Sequence, residues 1–391
     1  MSKLKCKLNL KLKIQQFKVM QQGKFRQKSI ILQQCKFRQK FQILQKFKIL
    51  QPFMKLLPRA LLFFFLLLGF VSSAGAKFTE IVKTFPSLPS AYKEEQFNKV
   101  QKAFDDRATL FLTGKQFRSY EANRTEQDLQ EEYKNIQEWR SHAWYSDATG
   151  EMLTSRPDFM VAQSLLRQGF YRRPNIIAFD YNHTDDSYNS SSIILNGYRF
   201  LALEAPMDKT LDNFFKLLQN YQVNRLVRLS SPTDKESIKS VAYWAGKITN
   251  DTKTQQTFLD LPFVGSKSHR ISLPYYAITN WTDNQGVDPK ILLKTLEDLR
   301  ADYDPNTDLI AVHCGGGVGR TGTFIAGFLI LQEIDRQIAA GTPIDKLDFS
   351  IEKIVMQLSL QRIHMVGAAP QYVTLHQLAD LYISQLKQEK K

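Results

Sequence analysis

The residues with the most chemistry per position lie between His313 and Thr321: His-Cys-Gly-Gly-Gly-Val-Gly-Arg-Thr. A thiol attacks as its thiolate, and a helix N-terminus beside a cation favours that form. Cys314 has both close by in sequence. Arg320 offers a planar fork of donors that grips two phosphate oxygens at once. Gly315, Gly316, Gly317 and Gly319 let the backbone around Val318 curl with its amides inward, a nest for an anion. Thr321 adds a hydroxyl, either for the sulfur or for breakdown of a phosphoenzyme. The same stretch contains Gly317-Val-Gly319-Arg-Thr-Gly322, a G-x-G-x-x-G. A dinucleotide site wants an acid at the end of a second strand, about 20 residues on. Here those residues still belong to a helical pattern. A Walker loop wants Lys before the Ser/Thr, and this chain has Arg320. Neither nucleotide reading uses Cys314. A buried structural cysteine beside a flexible glycine loop is the bland alternative. The C-x5-R-T arrangement between strand and helix argues against it.

The elements around the loop are legible. Residues 308–313 read as a buried strand leading in. Beyond the loop, Phe324, Phe328, Leu331, Ile334 and Ile338 keep a helical period until Gly341 and Pro343 stop it. The loop is thus a strand-to-helix turn, with unsatisfied N–H groups and the helix dipole facing an anion. Further strand-like runs lie at 193–195, 198–202, 223–229 and 309–312, with helical stretches between several of them. Asp288-Pro289 opens one helix, Asp as N-cap and Pro in the first turn. Its Leu292, Leu296 and Leu299 fall on one face. The pattern predicts an α/β or α+β domain with a twisted sheet. Asn/Asp/Ser-rich segments at 182–191 and 249–254 read as surface loops.

The net charge of +15 invites a nucleic-acid or membrane reading. Its distribution removes it. Residues 1–53 hold 12 Lys, 2 Arg and no acidic residue, leaving 39 basic against 38 acidic residues in 54–391. Nucleic acid is therefore not an expected partner. The first 53 residues repeat themselves, Lys24-Phe-Arg-Gln-Lys28 returning as Lys36-Phe-Arg-Gln-Lys40. A start codon assigned upstream of the true one explains them better than a basic arm. Met54 then opens a secretory signal peptide, 54–76: Lys55 and Arg59, an apolar run through Val71, and small residues ending Ala74-Gly-Ala76. That run is too short for a comfortable span of about 20 residues, so no stable membrane span is expected. Of the three cysteines, Cys6 and Cys35 precede this point. The mature chain keeps Cys314 alone and no intramolecular disulfide. Residues 77–165 are polar and rich in helix formers, with Thr125 as a candidate cap. They carry no catalytic constellation and read as a helical lead-in.

At this point the sequence resembles a known family. His313-Cys-Gly-Gly-Gly-Val-Gly-Arg-Thr321 is similar to the H-C-x5-R-[ST] signature of cysteine-dependent protein tyrosine phosphatases, and further matches follow in order over about 170–388. Trp281-Thr-Asp283 resembles the family's mobile W-P-D loop, with Thr282 in place of Pro. By that resemblance Asp283 is the general acid, since a phosphate ester leaves more easily when its bridging oxygen is protonated. Glu204-Ala-Pro206 stands where a Gln-Gly-Pro is usual. Asp234, Lys239 and Tyr243-Trp244 resemble the family's acid, lysine and Tyr-Trp. The resemblance implies that Asp234 holds Arg320 ready and that Lys239 lines the mouth. Gln361-Arg362-Ile-His-Met-Val366 and Gln371-Tyr372 resemble its Gln loop, with Gln371 positioning substrate or water. Gly367 replaces a second Gln that helps orient the hydrolytic water. That departure implies slower phosphoenzyme hydrolysis and favours transfer to other acceptors. The segment ending Phe179-Asp180 lacks the Tyr that stacks on phosphotyrosine, with Tyr171 the nearest substitute.

The resemblance implies a twisted mixed sheet flanked by helices in a catalytic domain at 166–388. It implies hydrolysis of phosphotyrosine in a protein or peptide through a cysteinyl-phosphate. Neither metal nor cofactor is required, and the sequence shows no ligand cluster of His, Cys and acids. Two rivals follow from the departures: a phosphatase for phosphoinositides or inositol phosphates, and a phosphate-binding pseudophosphatase. With the signal peptide, the expected location is secreted or periplasmic, as in a bacterial exported effector.

Overall fold

The computed structural model describes residues 90–112, 114–144, 162–173, 175–230, 241–251, 256–265 and 270–389. The segments read as leader and signal peptide, together with Asp234 and Lys239, lie outside the described residues. No helix among the described residues is long and apolar enough to cross a membrane.

Eight strands form one sheet in the order β1-β2-β3-β8-β4-β7-β6-β5. They are β1 (His183–Asp185), β2 (Tyr188–Leu195), β3 (Tyr198–Leu203), β4 (Arg225–Arg228), β5 (Ile248–Asp251), β6 (Gln256–Pro262), β7 (Arg270–Ala277) and β8 (Ile310–His313). The middle four, β3, β8, β4 and β7, are parallel, and both flanks are antiparallel. This is the mixed sheet expected. Buried parallel strands need apolar residues on both faces, and every residue of β8 is buried. Hairpin β2–β3 turns at Asn196-Gly197, both with positive φ of 53° and 84°. That is the turn whose twist matches the strands.

The helices are α1 (Ser90–Leu112), α2 (Glu126–Trp144), α3 (Gln163–Gln168), α4 (Leu211–Asn220), α5 (Pro289–Arg300), α6 (Gly319–Ala339), α7 (Ile351–Ser359) and α8 (Ala369–Glu389). Helix α6 is buried almost continuously from Gly319 to Leu331. A helix apolar on all sides belongs in the core. One core cluster joins its Phe324, Phe328 and Leu331 to Leu292, Leu296 and Leu299 of α5, to Val312 of β8 and to Tyr372 and Leu375 of α8. Phe104 of α1 and Tyr133 and Ile136 of α2 belong to the same core. Two caps form as the sequence requires: Asp288 accepts from Lys290 N at 2.8 Å and Thr125 from Asp128 N at 3.2 Å.

Two segments read as surface loops are partly strands. Residues 182–191 supply β1 and the start of β2, where Tyr188, Asn189, Ser190 and Ser191 are buried. Residues 249–251 lie in β5, an edge strand whose exposed polar face blunts further pairing. The first difference has a clear cause. Buried polar side chains are tolerated when they are hydrogen-bonded. Asn189 and Ser191 accept from Arg362, whereas Tyr188 donates to Glu204 O at 2.6 Å.

Candidate active site

Strand β8 delivers the loop from the centre of the sheet. Leu203 and Arg228 flank His313 on the neighbouring strands. The loop's carbonyls are held from behind. Ala205 N donates to Gly315 O at 2.9 Å. The buried guanidinium of Arg362 donates to Gly316 O at 3.1 Å and to Gly317 O at 2.8 Å. Three successive carbonyls are thus engaged within the protein and do not face an anion held by the loop. Gly317 has a φ of 72°, and a Cβ there would lie 2.1 Å from Leu203 O. Only glycine fits. No side chain caps α6, which leaves its first amides unclaimed by a cap. Burial lowers the Arg362 guanidinium to about 10, which still leaves it charged at neutral pH.

His313 is fully buried, and burial pushes its imidazole down to about 3. It is neutral in the working range. Its Nδ1 lies 3.2 Å from Cys314 O, which can only accept, so Nδ1 carries the proton. Nε2 then accepts from the hydroxyl of Tyr243. His313 therefore fixes the backbone at Cys314 and is not placed to exchange protons. Cys314 itself is buried and free.

Arg320 gathers the site. Its side chain is fully buried, Nη1 donates to Trp281 O at 2.7 Å, and Nη2 lies 3.1 Å from Asp283 Oδ1. Asp283 keeps 37% of its side chain exposed. Trp281 is fully buried, and its indole N–H closes the acid loop on Gln285 O at 2.7 Å. The loop is anchored further on, where Val287 N donates to Thr374 Oγ1 at 3.3 Å. The ion-pair partner of Arg320 among the described residues is thus Asp283, and the pairing expected with Asp234 lies outside them. Thr321 is buried, with no hydrogen-bond partner for Oγ1 among the described residues. Gln371 is buried against Gly319, and its Oε1 accepts from Gly367 N at 2.9 Å. Ile176, itself buried, packs on Gly316, while Tyr171, a few residues before it, is half-buried.

Three groups carry roles that the sequence did not assign to them. Arg362 was visible only as part of a motif, and its acceptors are backbone carbonyls 45 and 46 residues away. Arg140 of α2 donates to Val366 O at 3.1 Å and to Met365 O, and Tyr133 donates to Val366 O at 3.0 Å. His364 and Val366 both hold a φ of 59°. Bulky residues keep such a backbone only where neighbours over-determine it. Gly322 is the third: a Cβ would lie 2.4 Å from Val366 N, so the Gln loop rests directly on α6.

A family model described as "Protein-tyrosine phosphatase" matches residues 172–380, more than half of the chain. The chain belongs to the protein-tyrosine phosphatase family. Tyrosine-protein phosphatase 69D of Drosophila melanogaster is 24% identical over 306 residues, covering 68% of this chain and 20% of that protein. Human receptor-type tyrosine-protein phosphatase eta is 28% identical over 253 residues, covering 57% of this chain and 18% of that protein. The chain therefore spans about a fifth of the length of these relatives. The solved Trypanosoma cruzi protein tyrosine phosphatase has the same fold, with a TM-score of 0.51 at 18% identity, covering 66% of this chain and 91% of that one. The catalytic domain of human protein tyrosine phosphatase non-receptor type 18 aligns with a TM-score of 0.51 at 20% identity, over 66% of this chain and 96% of that one. Within the phosphatase family, the 172–380 match encloses the acid loop, the cysteine loop and the Gln loop.

Proposed function

We propose that this chain hydrolyses phosphotyrosine in proteins or peptides through a cysteinyl-phosphate. The Cys314 thiolate attacks phosphorus as the bond to the phenolic oxygen breaks. The leaving oxygen takes its proton from Asp283. Arg320 and the loop amides hold the equatorial oxygens, whose charge spreads in the transition state. Asp283, now a carboxylate, takes a proton from water. The water oxygen attacks phosphorus, the S–P bond breaks and the thiolate returns. Thr321 Oγ1 is available to donate to that sulfur. The observation that carries this reading is the buried Arg320, which bridges Trp281 O and Asp283 at the mouth of the cysteine loop. It ties the nucleophile's anion cradle to the acid. Family membership supports the same chemistry.

Phosphate release from a phosphotyrosyl peptide tests it, with Cys314→Ser alongside. Turnover that vanishes in the variant is the expected result. A folded wild type that releases no phosphate would sink the proposal. We further propose that residues 54–76 direct export and are removed after Ala76, on the strength of the basic start, apolar run and small-residue end. N-terminal sequencing of exported protein should begin at Lys77. Protein retained in the cell with Met54 or an earlier residue at its start would refute export.

A further inference from the structure

Gln371 stands in the first turn of α8, against the phosphate loop. It is fully buried, and a Cβ at Gly319, the first residue of α6, would lie 3.1 Å from its Nε2. Oε1 accepts from Gly367 N at 2.9 Å, whereas Nε2 has no hydrogen-bond partner among the described residues. An amide donor closed off beside an anion site can serve a phosphoryl oxygen or a water that attacks phosphorus. In the proposed mechanism Arg320 and the loop amides already hold the phosphoryl oxygens. Water is what remains for Nε2.

What holds Gln371 there comes from α2. The first turn of a helix is the part least secured by the helix's own hydrogen bonds, and Gln371 and Tyr372 lie in that turn. Tyr372 is fully buried and donates its hydroxyl to Glu132 Oε1. Glu132 is buried too, and its Oε2 accepts from Arg124 Nη1 at 2.6 Å. Arg118 Nη1 lies 3.7 Å from the same oxygen, and His376 Nε2 lies 3.8 Å from Oε1. Tyr133 and Arg140 hold the other end of the segment, at Val366 O. Glu132, Ile136 and Arg140 are all buried and spaced by four, so one face of α2 carries the anchors. Between the two ends, Gly367 N closes on Gln371. The polar partners of the Glu132 side chain among the described residues do not include Cys314, Arg320 or Asp283, so its effect on the reaction passes through Tyr372.

We propose that Glu132 is a positioning residue: through Tyr372 it holds Gln371 Nε2 beside Gly319, where the amide places the water that attacks the cysteinyl-phosphate. The proposal rests on the phosphotyrosine reading. The covalent step is the one given above: the water oxygen bonds to phosphorus, its proton goes to Asp283, and the S–P bond breaks. Formation of the cysteinyl-phosphate needs no such water. Cutting the bond between Tyr372 and Glu132 therefore slows the second half of the reaction and leaves the first half as it is.

The test compares the full chain with Tyr372→Phe, which loses only the hydroxyl, on an aryl phosphate whose phenol is strongly acidic. The burst of phenol before the steady state counts active molecules. The ratio kcat/KM covers the steps through phenol release, whereas kcat also includes hydrolysis of the phosphoenzyme. Tyr372→Phe should lower kcat about tenfold, lower KM in proportion, and leave kcat/KM and the burst amplitude unchanged. A merely structural role removes active molecules, so kcat and kcat/KM would fall together, with a smaller burst and a constant KM. That pattern, or an unchanged kcat, overturns the proposal. Glu132→Ala cuts the same bond from α2 and carries the test should Tyr372→Phe not fold. Combined in one chain, the two substitutions should slow turnover no more than the worse of them alone, and losses that multiply would overturn action through Tyr372. Failure of the phosphatase reading looks different, because the wild type would then show no Cys314-dependent phenol release at all.

Discussion

Asp283 lies 3.1 Å from Arg320 and His313 adjoins Cys314, and their surroundings suit them to opposite roles. His313 is sealed beneath the loop with both nitrogens engaged, its imidazole held neutral by burial. Asp283 stays over a third exposed and paired to Arg320, where it can meet a leaving oxygen and then a water. In the proposed mechanism position selects the acid, where residue type alone would have favoured histidine. Asp283→Asn keeps the shape and removes the proton. It should lower kcat by about 10²- to 10⁴-fold on a phosphotyrosyl peptide, the usual worth of general acid–base catalysis. The loss should shrink on a substrate whose leaving phenol is much more acidic, because such a leaving group needs no proton. Equal losses on both substrates would remove Asp283 from the acid role.

At the scale of elements, what could be read in advance depended on how local its causes are. The strand-loop-helix unit at 308–339 was legible because strand pattern, glycines, Arg320 and helical period lie in one stretch. The Asp288 cap was legible for the same reason. The buried start of β2 was not, since Asn189 and Ser191 are paid for by Arg362, some 170 residues away. Arg140 is the extreme case. It lies on α2, in the segment read as a lead-in, yet it satisfies Ser359, Met365 O and Val366 O beneath the Gln loop. Nothing near it in sequence announces backbone carbonyls more than 200 residues on. Arg140→Leu should cost about 3 to 5 kcal/mol in urea unfolding, because buried acceptors are left unpaired. It should also lower kcat, because Gln371 takes its place from Gly367 N in that loop. Full stability would place α2 outside the support of the site. Lost stability with unchanged kcat would confine Arg140 to the fold.

Over the whole molecule, titration adds these local environments into one stability curve. His313 and His376 are buried, and burial lowers each imidazole to about 3 from its usual 6.5. The unfolded chain takes up protons below pH 6.5 where the folded chain refuses them, so their contribution is full above 6.5 and is lost as pH falls toward 3. At pH 5 the loss is about 2 kcal/mol for each, by the worth of one pKa unit. Half-buried His364, lowered to about 4 by burial, adds to the same trend. Glu204 works against it. Its folded value of about 7 lies above the ordinary 4.5, so the folded state binds its proton first and gains stability as pH falls from 7 to 4.5. One carboxyl does not offset the buried imidazoles. The Tm should therefore drop between pH 7 and pH 5, measured in matched ionic strength. His376→Phe keeps the ring that meets Tyr372 and Tyr120 and cannot titrate. It should lessen the drop, whereas Glu204→Gln should deepen it, with its Tm raised at pH 8 relative to wild type. Parallel curves for all three proteins would mean that neither group carries the linkage assigned to it here.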